Sequence, residues 1–190
     1  VRHNITSEYF NVNVNGADVE IISEASIEGL QYYLSGTTTN GSFSLESDMP
    51  YEVILNNTEI TSLTNVPLNL SKNVERNIII ANGTTNILSD SEDSDGKAVI
   101  NSKGATNMGG FGSLTINANK KHGISSDNDI NIDGATISIN HSADASKGLK
   151  SDCNIMITDG DVNIVSSGTL TLEALDLGYD ATYCTSIGAD

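Results

Sequence analysis

The apolar residues of this chain come in short alternating pairs, and the pairs recur at a nearly fixed step. Ile130 and Ile132 precede Ile155 and Ile157 by 25 residues, as Ile137 and Ile139 precede Val162 and Ile164, and as Val53 and Leu55 precede Ile78 and Ile80. Leu114 and Ile116 lie 23 residues ahead of Ile137 and Ile139, and Gly123 lies 25 ahead of Gly148. Gly, Asp, Asn and Ser fill the gaps. Period-two alternation marks a strand, and a unit of this length that repeats in register buries its apolar face only by stacking on the next copy. The pattern predicts an all-β chain folded as a right-handed, single-stranded parallel β-helix with coils of about 25 residues.

The regular step reaches back to about residue 40. Ahead of it, Phe10–Val14 and Asp18–Ile22 alternate like edge strands, and Glu24–Tyr33 reads as a short amphipathic helix or a strand. Residues 1–35 are therefore expected to form an N-terminal cap and residues 36–190 the coils. The acidic run Ser89–Gly96 reads as an insertion between strands, where extra length costs little. A second excursion runs from Leu170 to Cys184. The ending Thr185-Ser-Ile-Gly-Ala-Asp190 then resembles Lys147-Gly-Leu-Lys-Ser-Asp152, so the chain is expected to stop as a further coil begins.

Charge narrows the partners. Twenty-five Asp and Glu against nine Lys and Arg give a net charge of −16, which disfavours nucleic acid and other bare polyanions unless a cation mediates. The same excess of acid suits divalent-cation binding or plain solubility. No run of 18 apolar residues is present, so no membrane insertion is expected, and Val1 in first place reads as a mature or trimmed start. A monomer that is secreted or held at the cell surface is the expected setting. Glycosylation-type triplets at Asn4, Asn40, Asn56, Asn69, Asn82 and Asn140 are what so much Asn, Ser and Thr produces by chance. Cys153 and Cys184 permit one disulfide, although their spacing is out of step with the coil; Cys153 shares parity with Ile155 and Ile157 and is expected to point inward.

From about Tyr32 to Asp190 the chain resembles the carbohydrate-binding parallel β-helix family typified by a clostridial surface protein that binds cellulose and acidic sugars. The resemblance is carried by Tyr33-Leu-Ser-Gly36, Asn86-Ile-Leu-Ser-Asp90, Gly112-Ser-Leu-Thr-Ile116, His122-Gly-Ile124 with Asp127 and Asp129, and Gly148-Leu-Lys-Ser-Asp152 with Asp159-Gly160, in that order and spacing. It implies calcium near the coil turns and non-catalytic binding of polysaccharide, and a more distant likeness to calcium-dependent pectate lyases.

Residues one coil apart become neighbours at the strand spacing of about 4.8 Å, so Asp127 and Asp152 are expected to stack. A Ca²⁺ ion bridging them, with Asp129, Asp133 or backbone carbonyls as further ligands, would turn their repulsion into attraction. Asp90 and Asp93 in the acidic loop, with Glu92 and Asp95, are a second candidate ligand set; the loop lacks the closing Glu of an EF-hand. Lys97, His122 and Lys147 form a basic column with Lys121 and Lys150 adjacent, and Lys147, Lys150 and Lys121 are the candidate sugar contacts, against the plainer reading that the lysines screen an acidic surface. A Lys base beside a cation would also serve eliminative cleavage, but a neighbouring carboxylate favours the protonated amine, so no catalysis is expected. With no Trp and its tyrosines scattered, the chain favours polar recognition of acidic or cellulosic polysaccharide over ring stacking. A rigid spacer or adhesin is the structural alternative; an ice-binding Thr ladder is disfavoured because the Thr positions fall out of register.

Overall fold

In a computed structural model, which describes residues 5–6 and 8–189, the chain is a parallel β-helix, and among the described residues no helix occurs. One sheet of nine strands and one of ten wind along it. The 11-residue strand Tyr51–Thr61 pairs through its first half with Arg76–Ile80 and through its second with Thr85–Ser89. Beyond it the larger sheet divides into two faces, so each later coil has three sides. The first carries Ala98–Ser102, His122–Ser126 and Lys147–Ser151. The second carries Thr106–Gly110, Ile130–Asp133 and Ile155–Ile157, and the third Ser113–Ala118, Thr136–His141 and Asp161–Ser166.

The register follows the apolar columns of the sequence. Ile124 pairs with Leu149, Ile130 with Ile155, Ile132 with Ile157, Ile137 with Val162 and Ile139 with Ile164. Leu45, Leu55, Leu70, Ile80, Ile100, Ile116 and Ile124 are wholly buried along the axis, each side chain stabilising the stack by about 1.5–3 kcal/mol. The insertions alter the step without altering the pairing. Leu68 pairs with Ile100 across the acidic run, and Leu149 pairs with Ile187 across the hairpin Thr171–Leu175/Gly178–Thr182.

The described part of the leading segment is built of strands joined by turns. Leu30–Thr38 is a strand paired with Tyr51–Thr61, so the helical alternative for Glu24–Tyr33 is not adopted. Asp18–Ser23, placed by the sequence in the end segment, pairs in parallel with Ser42–Ser47, while Phe10–Asn15 folds back on it as an antiparallel hairpin. The expected inward Cys153 is instead exposed, and neither it nor Cys184 is in a disulfide. Its parity with Ile155 does not survive the intervening corner, where the Ser151 hydroxyl accepts the Cys153 N–H at 2.9 Å and turns the chain.

A buried cation braces the step that takes up the acidic run. Arg76 is 1 % exposed and donates to the carbonyls of Leu70 at 3.0 Å and Val74 at 2.5 Å, to that of Lys72, and to the Ser102 hydroxyl, with its guanidinium 5.6 Å from the Tyr51 ring centre. It ties one corner to the coil beyond the acidic insertion. Arg76→Ala removes these hydrogen bonds and leaves a cavity where the buried side chain lay, and is expected to lower unfolding stability by about 3 kcal/mol, read from the urea midpoint. A change within error of zero would show that the corner holds without it.

Candidate functional site: a lysine-rich groove

Each coil leaves the first face through a serine. Ser102, Ser126 and Ser151 are fully buried, and their hydroxyls bond to Gly104 O at 2.9 Å, Gly104 O at 3.0 Å and Asn128 O at 2.8 Å. A Ser hydroxyl that satisfies backbone groups two residues on makes a tight corner. The residue after each serine is thrown onto the outer rim, which sets Lys103, Asp127 and Asp152 in one column at successive coils. Lys103 Nζ donates to Asp127 at 2.7 Å, and Lys150, one row in, donates to Asp152. The Lys150 ammonium holds the Asp152 carboxyl below the usual carboxylate range.

The other rim comes from an irregular strand entry. Val99 and Ile100 are adjacent yet both belong to the core, which a regular pleat forbids. One and two coils on, Gly123 and Gly148 stand at the crowded position: a Cβ there would lie 2.5 Å from Ile139 Cγ2 and 2.5 Å from Ile164 Cγ2. The repeat of glycine at positions 123 and 148 is thus a packing requirement. His122, just before Gly123, is 5 % exposed and lines the outer groove. Its Nδ1 accepts the Lys147 backbone N–H at 3.0 Å, which leaves its proton on Nε2. Burial, with Lys121, Lys150 and Lys147 nearby, pushes its pKa down to about 4, so the ring is neutral at pH 7.

Between the rims lies an open cavity of about 430 Å³. Lys97, Lys103, Lys121 and Lys150 line it with Asp95, Asp127 and Asp152, over a floor that includes Asn101 and Ser125. Four lysines against three aspartates make it net positive by one, on a chain whose net charge is −16. Asn101 donates to Asn69 at 2.9 Å, and Asn69 to the Ser44 hydroxyl at 3.3 Å, so a hydrogen-bonded polar ladder leads along the same face toward the first coils.

Residues 15–179, most of the chain, match the carbohydrate-binding domain family. The chain belongs to that family. A carbohydrate-binding domain-containing protein of Acetivibrio thermocellus is 28 % identical over 67 % of this chain. The matched stretch takes up 49 % of that relative, so the chain spans about half its length. The polysaccharide lyase-like protein from C. thermocellum, solved as a gadolinium derivative, superposes with a TM-score of 0.63 at 19 % identity, over 83 % of this chain and 85 % of that one, and shares the fold.

Against this geometry the sequence-derived residues separate. Lys121 and Lys150 lie in the groove of the domain; Lys147 runs beside the last strand, where a Cβ on Gly188 would come 2.6 Å from its Cδ. Asp127 and Asp152 line the groove as partners of lysines. Asp129 accepts the backbone and side-chain N–H groups of Asn154 at 3.0 and 2.9 Å. Asp90 is 3 % exposed and accepts the N–H groups of Asn119 at 2.6 Å and Lys120 at 3.2 Å, anchoring the acidic loop. Burial raises its pKa, and those N–H groups oppose the rise. Asp93 is exposed on that loop. Ca²⁺ takes six to eight oxygens, and among the described residues no three acidic, His or Cys side chains converge on one point. Lys103 escaped the sequence reading; the Ser-x-Gly/Asn/Cys corners at 102, 126 and 151 carry the register that would have found it.

Two outcomes are expected. Gly123→Ala forces a methyl into Ile139 and should cost about 2 kcal/mol of stability by chemical denaturation. Because the His122 pKa lies below that of the unfolded chain, its contribution is complete above about pH 6.5 and is lost as pH falls toward 4. His122→Gln should therefore flatten the fall in stability between pH 7 and pH 4.5 by about 2 kcal/mol, and an unaltered slope would refute the buried neutral ring.

Proposed function

We propose that the groove holds an acidic, polygalacturonate-like polysaccharide laid along the stacked coils, outside the cell or at its surface, and that the domain binds without cleaving. The observation that carries this reading is the gathering of four of the chain's nine Lys and Arg residues around one cavity on an otherwise strongly acidic molecule. An ammonium bonded to a carboxylate is a charge-assisted contact, about twice as strong as a neutral one, and Asn101 and Ser125 offer partners to sugar hydroxyls. The open shape suits a polymer that enters from the side.

Neutral cellulose is the weaker candidate. Recognition of flat crystalline chains draws on a row of exposed rings. Here Tyr32 and Tyr51 pack edge to face with Tyr51 buried, and none of the exposed Tyr33, Phe111, Tyr179 and Tyr183 lines the lysine-rich groove. Cleavage by elimination needs a base that gives up its proton, and a lysine bonded to a carboxylate starts in the wrong state for that task. The interaction as read here runs through ammonium groups and needs no bridging cation.

Retention on immobilised polygalacturonate tests it. The domain is expected to be retained at low salt, released as salt rises, and indifferent to EDTA, with no unsaturated product in the eluate. Lys121→Ala/Lys150→Ala should weaken binding about tenfold at unchanged melting temperature. Equal binding by that variant would remove the groove as the site; release by EDTA would replace the ammonium contacts with a cation bridge.

A further inference from the structure

The groove already contains two carboxylates where an acidic ligand would place its own. Asp127 sits 2.7 Å from Lys103 Nζ, and Asp152 is bonded to Lys150. The two ammonium groups issue from coils two steps apart, a rise of about 10 Å. Both acidic side chains are nearly half exposed, at 44 % and 46 %, so neither is locked into the fold. Each ion pair is therefore weak and exchangeable.

Resting on the acidic-glycan reading, we propose that Asp127 and Asp152 are internal counter-ions that make the groove selective for contiguous runs of unesterified uronate. A ligand engages Lys103 and Lys150 by taking over from these two carboxylates, which then turn to solvent. No covalent bond changes. A polymer with free carboxylates in an unbroken run supplies a replacement at both lysines. One whose carboxylates are sparse or esterified opens at least one pair without replacing it, and so binds less well than the number of its remaining charges suggests. Lys97 and Lys121 also line the groove, and among the described residues no ion pair joins either to a carboxylate, so they supply attraction that does not discriminate. The column of acid that the sequence offers as a metal site acts on this reading as a gate on charge spacing.

The test compares wild type with Asp127→Asn, Asp152→Asn and the double variant by titration with polygalacturonate and with a randomly half-methyl-esterified polymer. Asn keeps the shape and removes the charge. The double variant should bind polygalacturonate about tenfold more tightly at low salt, each single variant about threefold, and raised salt should shrink the gain. The preference for the unesterified polymer should narrow in the double variant. Tighter binding with that preference undiminished would overturn the selectivity claim. Affinity unchanged or weakened in all three variants, with wild type still bound and still weakened by Lys121→Ala/Lys150→Ala, would overturn the counter-ion role and leave the acidic-glycan reading standing. Failure of wild type to bind polygalacturonate would defeat both.

Discussion

The hydrogen-bonded register of one coil on the next is the constraint from which the rest of this molecule follows. At a rise of about 4.8 Å, every residue that faces inward or outward meets its counterpart in the neighbouring coil. Inward, that requirement collects Ile, Leu and Val into buried columns. Outward, it collects amides. Asn131 donates to Asn107, Asn107 to Asn77 and Asn77 to Glu52 on one face, while Asn140 donates to Asn117 and Asn117 to Ser89 on another. Charge is where such stacking becomes costly, since like groups are set side by side.

The groove shows how that cost is met. In the rim column Lys103 precedes Asp127 and Asp152, and Lys150 reaches Asp152 from the adjacent row, so neither carboxylate faces only its like. The lysines are consequently presented in a regular array on a chain too acidic to hold a polyanion anywhere by bulk attraction. On the acidic-glycan proposal, specificity rests on spacing, because the array inherits the rise of the backbone.

Polar groups are buried where the step is irregular. The acidic run lengthens one coil, and its loop is laid along the preceding one by Ser91 to Leu63 O at 2.6 Å and Ser94 to Asn65 O at 3.0 Å. Asp90 pins its start and Arg76 braces the adjoining corner. His122 closes a strand entry where glycine admits the crowded backbone. Each of these groups substitutes a specific bond for the packing that an unbroken period supplies elsewhere.

Periodicity is a one-dimensional property, so the sequence by itself determined the solenoid, the coil length of about 25 residues, the pairing of the apolar columns that keep that step, and the stacking of Asp127 on Asp152. The restart of a coil at Thr185 was legible for the same reason, since Ile187 repeats Leu149 across the hairpin. Tertiary structure alone decided what happens at corners and insertions. The parity that aimed Cys153 inward is reset by the Ser151 turn; Asp90, written in an acidic loop, is drawn under the surface by two backbone N–H groups; Lys147 leaves the groove for the last strand. Which cation faces Asp127 depends on how the longer coil carrying Lys103 is taken up, and that is fixed by backbone hydrogen bonds between distant residues rather than by any local pattern.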